Sequence, residues 1–472
     1  MTAGGGLTKA GAGTVILGAS NLYSGQTTIN QGALQIGDGA AAGALAPGGL
    51  IVTQATLAFN RTDTVTQGVQ FGLVSGTGGV TQAGSGTLVL NGPNTYTGAT
   101  TINAGTVALG ASTALSSASS VAFGANSTGK LQLNGNNLTI ANLTTNAAVG
   151  TPIVESGSAT PGTDMLTISS TGAGTYAGLL RNGSARLLAV SKTGSGAFTL
   201  TGANTFSGGT TVTSGTLKIG NDAALGTGPL VVGGGVVDNN GAARTITNPI
   251  VVTDGTTTIF SSVGGGFNMD GPITGGGTLQ NQLTTGNVST FFRGDLSGFT
   301  GTFNLRGNTS NTGSHFRFGT ASTATQVIDS SSARFLVNGN GQNRSLALAD
   351  GGGGIFRMGE LSGDSSTVQI NASFNGTAAN RSVFEVGSLN TNSVYAGQIN
   401  NSGSGVAALT KVGTGTLTLS GSASYSGLTT VRSGTLKLDF SNVPAIGATS
   451  TTNILNTGAN NSPLSWLVER ST

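Results

Sequence analysis

His315, in the run Gly-Ser-His-Phe-Arg-Phe-Gly, is the only imidazole in 472 residues, so any serine–histidine–acid chemistry would have to pass through it. The run Gly363-Asp364-Ser365-Ser366 faintly resembles a hydrolase nucleophile loop, but no fixed spacing ties it to His315. A solvated or loop histidine is the weightier reading. The sixteen carboxylates are dispersed and no Asp-Asp pair occurs. Calcium binding and acid–base cleavage of sugars both need clustered carboxylates. Glu360 and Asp364 are the closest acidic neighbours in sequence, and a solvated pair explains them. The glycine-rich stretch at 264–271 does not fit the calcium-roll nonapeptide. Asp38 and Asp222 read as turn formers rather than ligands. These residues point away from an enzyme, with no metal or cofactor expected.

Binding chemistry has three further candidates. Arg293-Gly294-Asp295 spells a tripeptide that animal integrins read, yet its surroundings, FFRGDLSGFTGTFNL, scan as a degenerate copy of a repeat described below. Eight of the thirteen arginines fall between Arg244 and Arg381. Strand alternation would send Arg317, Arg334 and Arg357 outward as a basic stripe able to meet an acidic polysaccharide, or simply as a solvated face. Trp466, the single tryptophan, stands beside Leu464, Leu467 and Val468 in a C-terminal segment, 441–472, that reads as an end cap or a joint to a neighbouring copy. Nucleic-acid binding lacks both a dense basic cluster and aromatic platforms.

What would position any of these residues is set by composition. Glycine numbers 82, cysteine is absent, charged residues make up only 7%, and the net charge is +3, while 36% of residues are apolar. A disordered chain is poorer in apolar residues and richer in charge. Collagen would require glycine at every third position. Glu and Lys are too few for solvated helical faces, whereas Thr and Val favour strands and Gly and Asn favour turns, so the chain reads as all-β. The absence of cysteine suits passage through an oxidising compartment. The opening MTAGGGLTKAG carries no secretion signal, and no run approaches the roughly 20 apolar residues of a membrane helix.

Four blocks of one length align without a gap, at 7–37, 80–110, 190–220 and 409–439. Within them Gly13 and Gly32, Gly86 and Gly105, Gly196 and Gly215, and Gly415 and Gly434 are each nineteen residues apart, and each precedes a short alternating strand. In the last block Leu417 and Leu419 face one way and Thr416 and Thr418 the other. After a second strand, Thr429 to Val431, Leu436 and Leu438 repeat the pattern. Strands this short, without Asn-Gly or Asp-Gly hairpin turns between them, favour a chain that winds on itself. Each turn then lies about 4.8 Å above the last, and like residues stack. Leu436 is expected above Leu417, Leu438 above Leu419, and Gly434 above Gly415 at a corner. Tyr23, Tyr96, Phe206 and Tyr425 hold one place in the four blocks and read as an aromatic packed at a bend. The intervening stretches share this grammar. At roughly 20 to 25 residues per coil, residues 1–440 would form a single elongated rod of about 20 coils, on the order of 100 Å long.

The phrase L-T-K-x-G-x-G-T-L-x-L-x-G-x-N-x-Y-S-G-x-T-T-V-x-x-G-T-L resembles the autotransporter-associated β-strand repeat, also called the passenger-associated transport repeat, of large bacterial surface proteins. The resemblance implies a right-handed parallel β-helix, export to the outer-membrane surface or beyond, and a passenger role in which the repeat assists export and supplies a stalk. Its membrane link would be an anchor or barrel outside this sequence. Two functions follow: a non-enzymatic stalk or adhesin with a surface polysaccharide or host-surface ligand, and a self-assembling extracellular filament built by end-to-end stacking of homo-oligomers, since open strand edges with few charges do not block stacking.

Overall fold

A computed structural model describes residues 4–283, 289–307, 314–320, 326–338, 344–348, 353–372, 381–401, 405–439 and 455–457. Met1–Leu230 and Val231–Thr472 form two compact units. Among the described residues both are right-handed parallel β-solenoids without helix, with about 17 turns between them. Short strands of three or four residues alternate with glycine-rich bends, because Thr, Val and Leu favour extended backbone while Gly and Asn accept the bend.

In the first unit one sheet stacks Thr14–Leu17, Ala33–Ile36, Thr56–Phe59, Gly79–Gln82, Thr100–Ile102, Ser120–Phe123 and Asn142–Thr145, all parallel. One inward row runs through it as Val15, Leu34, Leu57, Val80, Thr100, Val121 and Leu143. All but Val15 are fully buried. The second unit is wound on the same plan with longer strands, among them Gln326–Asn338 and Gly354–Gly363. Its interior is lined by phenylalanines, with Phe303 above Phe335 and Phe292 above Phe318 in stacked pairs 5.0 and 4.7 Å apart.

The nineteen-residue spacing is one coil. Thr416–Leu419 pairs in parallel with Thr435–Leu438, placing Leu436 on Leu417 and Leu438 on Leu419. The same pairing joins Thr14–Leu17 to Ala33–Ile36, Thr87–Leu90 to Thr106–Leu109, and Ala197–Leu200 to Thr216–Ile219. The glycines stack for two different reasons. Gly32, Gly105, Gly215 and Gly434 have φ between 60° and 69°, a left-handed conformation that disfavours any side chain. Gly86, Gly196 and Gly415 have no such φ, but a Cβ there would strike the carbonyl oxygen of Asp63, Gly172 or Thr391 in the coil below.

Candidate functional surface

The first threonine of each Thr-Thr pair faces inward. Thr100 lies between Val80 and Val121 and is fully buried, so its hydroxyl must find a partner inside the solenoid. The aromatic at the bend supplies it. Tyr96 Oη lies 2.6 Å from Thr100 Oγ1, Tyr23 Oη 2.9 Å from Thr27 Oγ1, and Tyr425 Oη 2.5 Å from Thr429 Oγ1. Phe206 has no hydroxyl, and Thr210 Oγ1, fully buried, is left without a hydrogen bond. Phe206→Tyr is therefore expected to stabilise the first unit by about 1 kcal/mol, and Tyr96→Phe to destabilise it by about as much. Thermal melting of the two variants checks both signs.

Two further side chains of the repeat act at bends, the lysine at the opposite end of the short strand from the aromatic. Lys9, Lys192 and Lys411 point inward among apolar neighbours; Lys192 sits between Ile168 and Val212. Each ammonium is caged by the carbonyls of the glycine turns. Lys9 Nζ donates to Ala10, Gly11 and Gln31 at 3.1, 2.6 and 3.1 Å, and Lys192 Nζ to Thr193, Gly194 and Ser214 at 2.6, 2.9 and 3.5 Å. Lys411 repeats the cage with Val412, Gly413 and Ser433. In the second block Gln82 takes this place, and its Nε2 donates to Gly84 and Gly86. The asparagine two residues before the aromatic bridges three coils. Asn94 Oδ1 accepts Val74 N–H at 2.8 Å and its Nδ2 donates to the Ala114 carbonyl at 2.8 Å. Asn204 does the same between Leu180 and Ala224. These roles escape a reading by composition, although the inward phase and fixed offset of the lysine are visible in the blocks.

Burial lowers the pKa of Lys192 and Lys411, the latter to about 8 from the ordinary 10.5. It raises those of Tyr96, Tyr176 and Tyr395 above the ordinary 10.0. Between pH 8 and 10 the unfolded chain binds more protons at Lys411 than the folded one, so stability rises with pH. Above pH 10 the unfolded tyrosines ionise while the buried ones do not, and stability falls. Denaturant midpoints followed from pH 7 to 11 should pass through a maximum near pH 10, with the rising limb reduced in Lys411→Gln.

The expected basic stripe is not present as such. Arg334 and Arg357 do lie on outward rows, but each stacks on acids in adjacent coils. Arg334 pairs with Glu360 at 3.4 Å, and Arg357 with Asp329 at 3.5 Å and Glu385 at 3.3 Å; Arg432 closes on Glu385 at 3.0 Å. The outer face thus carries a ladder of alternating sign. Arg317 lies in a different sheet and is only 9% exposed. Strand alternation turns it away from the phenylalanine interior, yet its guanidinium lies against the Phe291 ring, 5.1 Å from the centroid, with Arg293 also over that ring at 4.6 Å. The Arg-Gly-Asp run lies at the bend just after strand Ser289–Phe292, with Asp295 exposed and the backbone bonded to the neighbouring coil. Arg293 and Gly294 N–H both donate to the Met269 carbonyl, Arg293 pairs with Asp270 at 3.5 Å, and Asp295 accepts Ser297 N–H at 2.9 Å, which lowers its pKa.

Ser365 Oγ is engaged with Thr367 Oγ1 at 2.8 Å in a local turn. His315 lies in strand Ser314–Phe318, and its side chain is outside the described residues, as are Trp466 and, apart from Leu455–Thr457, the segment 441–472. Among the described residues no three His, Asp or Glu side chains converge as metal ligands, and no helix is long and apolar enough to cross a membrane.

A family model described as passenger-associated-transport-repeat matches residues 7–36, 80–109, 190–219 and 409–438, the segments whose paired strands and bend residues are described above. The chain carries four passenger-associated transport repeats. No curated protein and no solved structure matches it. Passenger-associated transport repeats on a β-solenoid fit an autotransporter passenger domain, which suggests a secreted or cell-surface protein.

Proposed function

We propose that the chain is a non-enzymatic part of a surface-displayed passenger, serving as a stalk that adheres through its outer faces. The observation that supports this reading is the investment of the repeat in winding. Most side chains that recur at a fixed place in the blocks are spent on the interior: the inward leucines stack from coil to coil, the tyrosine satisfies a buried threonine, and Lys192 and Asn204 bond to adjacent coils, which is what a load-carrying scaffold requires. Apart from the second threonine of each Thr-Thr pair, which faces outward in all four blocks, most outer residues vary from block to block and are left for contact. Antibody raised against 190–220 should label intact bacteria expressing the full protein, and cells lacking it should adhere less to their substratum. Labelling that appears only after lysis would refute the reading.

A second reading, a filament subunit joined to its neighbours coil on coil, is favoured by the low charge of the chain, 7% of residues, which leaves few like charges to oppose stacking. Electron microscopy separates the readings: isolated particles support the stalk, and long filaments with a regular axial repeat support assembly.

A further inference from the structure

We infer that the outer face of the second unit binds a linear, uncharged glycan along a groove lined by Glu360, Ser362, Asn392, Val394, Thr416 and Thr418. This inference rests on the adhesive reading above and supplies its ligand class. The groove is made by three successive coils, from the end of Gly354–Gly363, through Ser393–Tyr395, to Thr416–Leu419, stacked in parallel with Gly363 on Tyr395 and Val394 on Thr418.

Its chemistry is that of neutral polar recognition. The one carboxylate, Glu360, is already matched: Arg334 lies 3.4 Å from Oε2 and Thr391 Oγ1 donates to the same oxygen at 2.7 Å. The floor therefore offers no net charge to attract an anion or a cation. Asn392 Oδ1 is occupied by the Thr416 N–H at 2.8 Å, so its amide nitrogen faces the groove as a donor. The hydroxyls of Thr416 and Thr418 can each donate and accept, as sugar hydroxyls do. Val394, 52% exposed between them, offers an apolar contact for the C–H face of a pyranose ring. The coils repeat at about 4.8 Å, a spacing of the same order as the length of one pyranose in an extended chain, so consecutive sugars would meet consecutive coils. Several weak contacts in a row favour a chain over a single sugar.

The test uses the whole protein with cellohexaose, chitohexaose and mannohexaose, followed by calorimetry and by amide shifts of the groove residues. At least one hexaose should bind with a Kd on the order of 1 mM, a monosaccharide far more weakly, and added salt should change little. The double variant Thr416→Ala, Thr418→Ala and, separately, Val394→Asp should each weaken binding about tenfold or more with melting unchanged. Amide shifts in the wild type report on the groove even if a variant folds poorly. The inference is overturned if no hexaose moves the groove amides, if both variants bind as the wild type does, or if only polygalacturonate binds. Hexaose binding without surface labelling of intact cells would remove the stalk reading and leave the groove standing; labelling without hexaose binding would do the reverse.

Discussion

Asn94→Ala is expected to destabilise the first unit by about 3 to 5 kcal/mol, far more than a typical loss of one polar side chain. Asn94 sits at a bend where the strand ladder is interrupted, and its amide, 3% exposed, stands in for the missing backbone pair. Oδ1 takes the Val74 N–H and the Gln67 Nε2, while Nδ2 serves the Ala114 carbonyl and Gln67 Oε1. Alanine removes all of these at once and leaves a buried N–H and a buried carbonyl short of partners, each costing about 1 to 3 kcal/mol, while Gln67 keeps its bonds to the Gly72 carbonyl and to the Asn91 and Gly92 N–H groups. Asn94→Asp should do no better, because it keeps the acceptor but loses both donors and buries a charge. The control is Asn21→Ala. Asn21 is the corresponding residue of the first block, where the side chain donates only to Ala19 and Ala44 at a half-exposed site, and the loss should stay under about 1 kcal/mol. Hydrogen exchange at Val74 N–H reads the effect locally, which matters in a solenoid whose coils can open independently. Unchanged protection of Val74 in Asn94→Ala would mean that water replaces the amide without cost.

How far the sequence carries the fold is clearest in Leu417 and Leu436. Their spacing predicts a shared row, because a strand fixes side-chain direction by parity and a solenoid fixes height by coil length; neither depends on detail elsewhere. The aromatic at the bend is equally legible as packing, but its partner is not. That Tyr96 exists to satisfy Thr100 emerges only when Thr100 is seen to face inward between two valines. The lysine was hidden by a general rule, that ammonium groups stay in water. The rule fails here because the glycine turns of two adjacent coils aim their carbonyls at one point. The arginines fail in the opposite sense. Alternation within a strand tells which face Arg334 and Arg357 occupy, but the charge of that face depends on Glu360, Asp329 and Glu385, which lie 26 to 28 residues away and are brought alongside only by winding. A surface is legible in a repeat only where the repeat itself writes it, and the groove over Val394 lies outside any block except at Thr416 and Thr418.

Lys192→Met should cost about 2 to 3 kcal/mol, and Lys192→Gln about half of that. Methionine keeps most of the buried stem between Ile168 and Val212, so the loss isolates the ammonium. Two opposing terms decide the sign. Removing a fully buried charge relieves a desolvation penalty, which the lowered pKa of Lys192 reflects. Against this, the carbonyls of Thr193 and Gly194, at 2.6 and 2.9 Å, lose a charged donor, and bonds to charged groups are each stronger than neutral ones by about a factor of two. The second block tests the balance within the same protein. Gln82 occupies the same cage with a neutral amide and serves Gly84 and Gly86, so the turn tolerates a donor without charge, provided that a donor is there. The ordering wild type, then Gln, then Met is therefore the expected result in denaturant unfolding of the first unit. Met more stable than Gln would show that the desolvation term dominates and that the lysine is kept for something other than stability. Equal stability of all three would mean that the turn carbonyls are satisfied by solvent and that the cage does not lock adjacent coils in register.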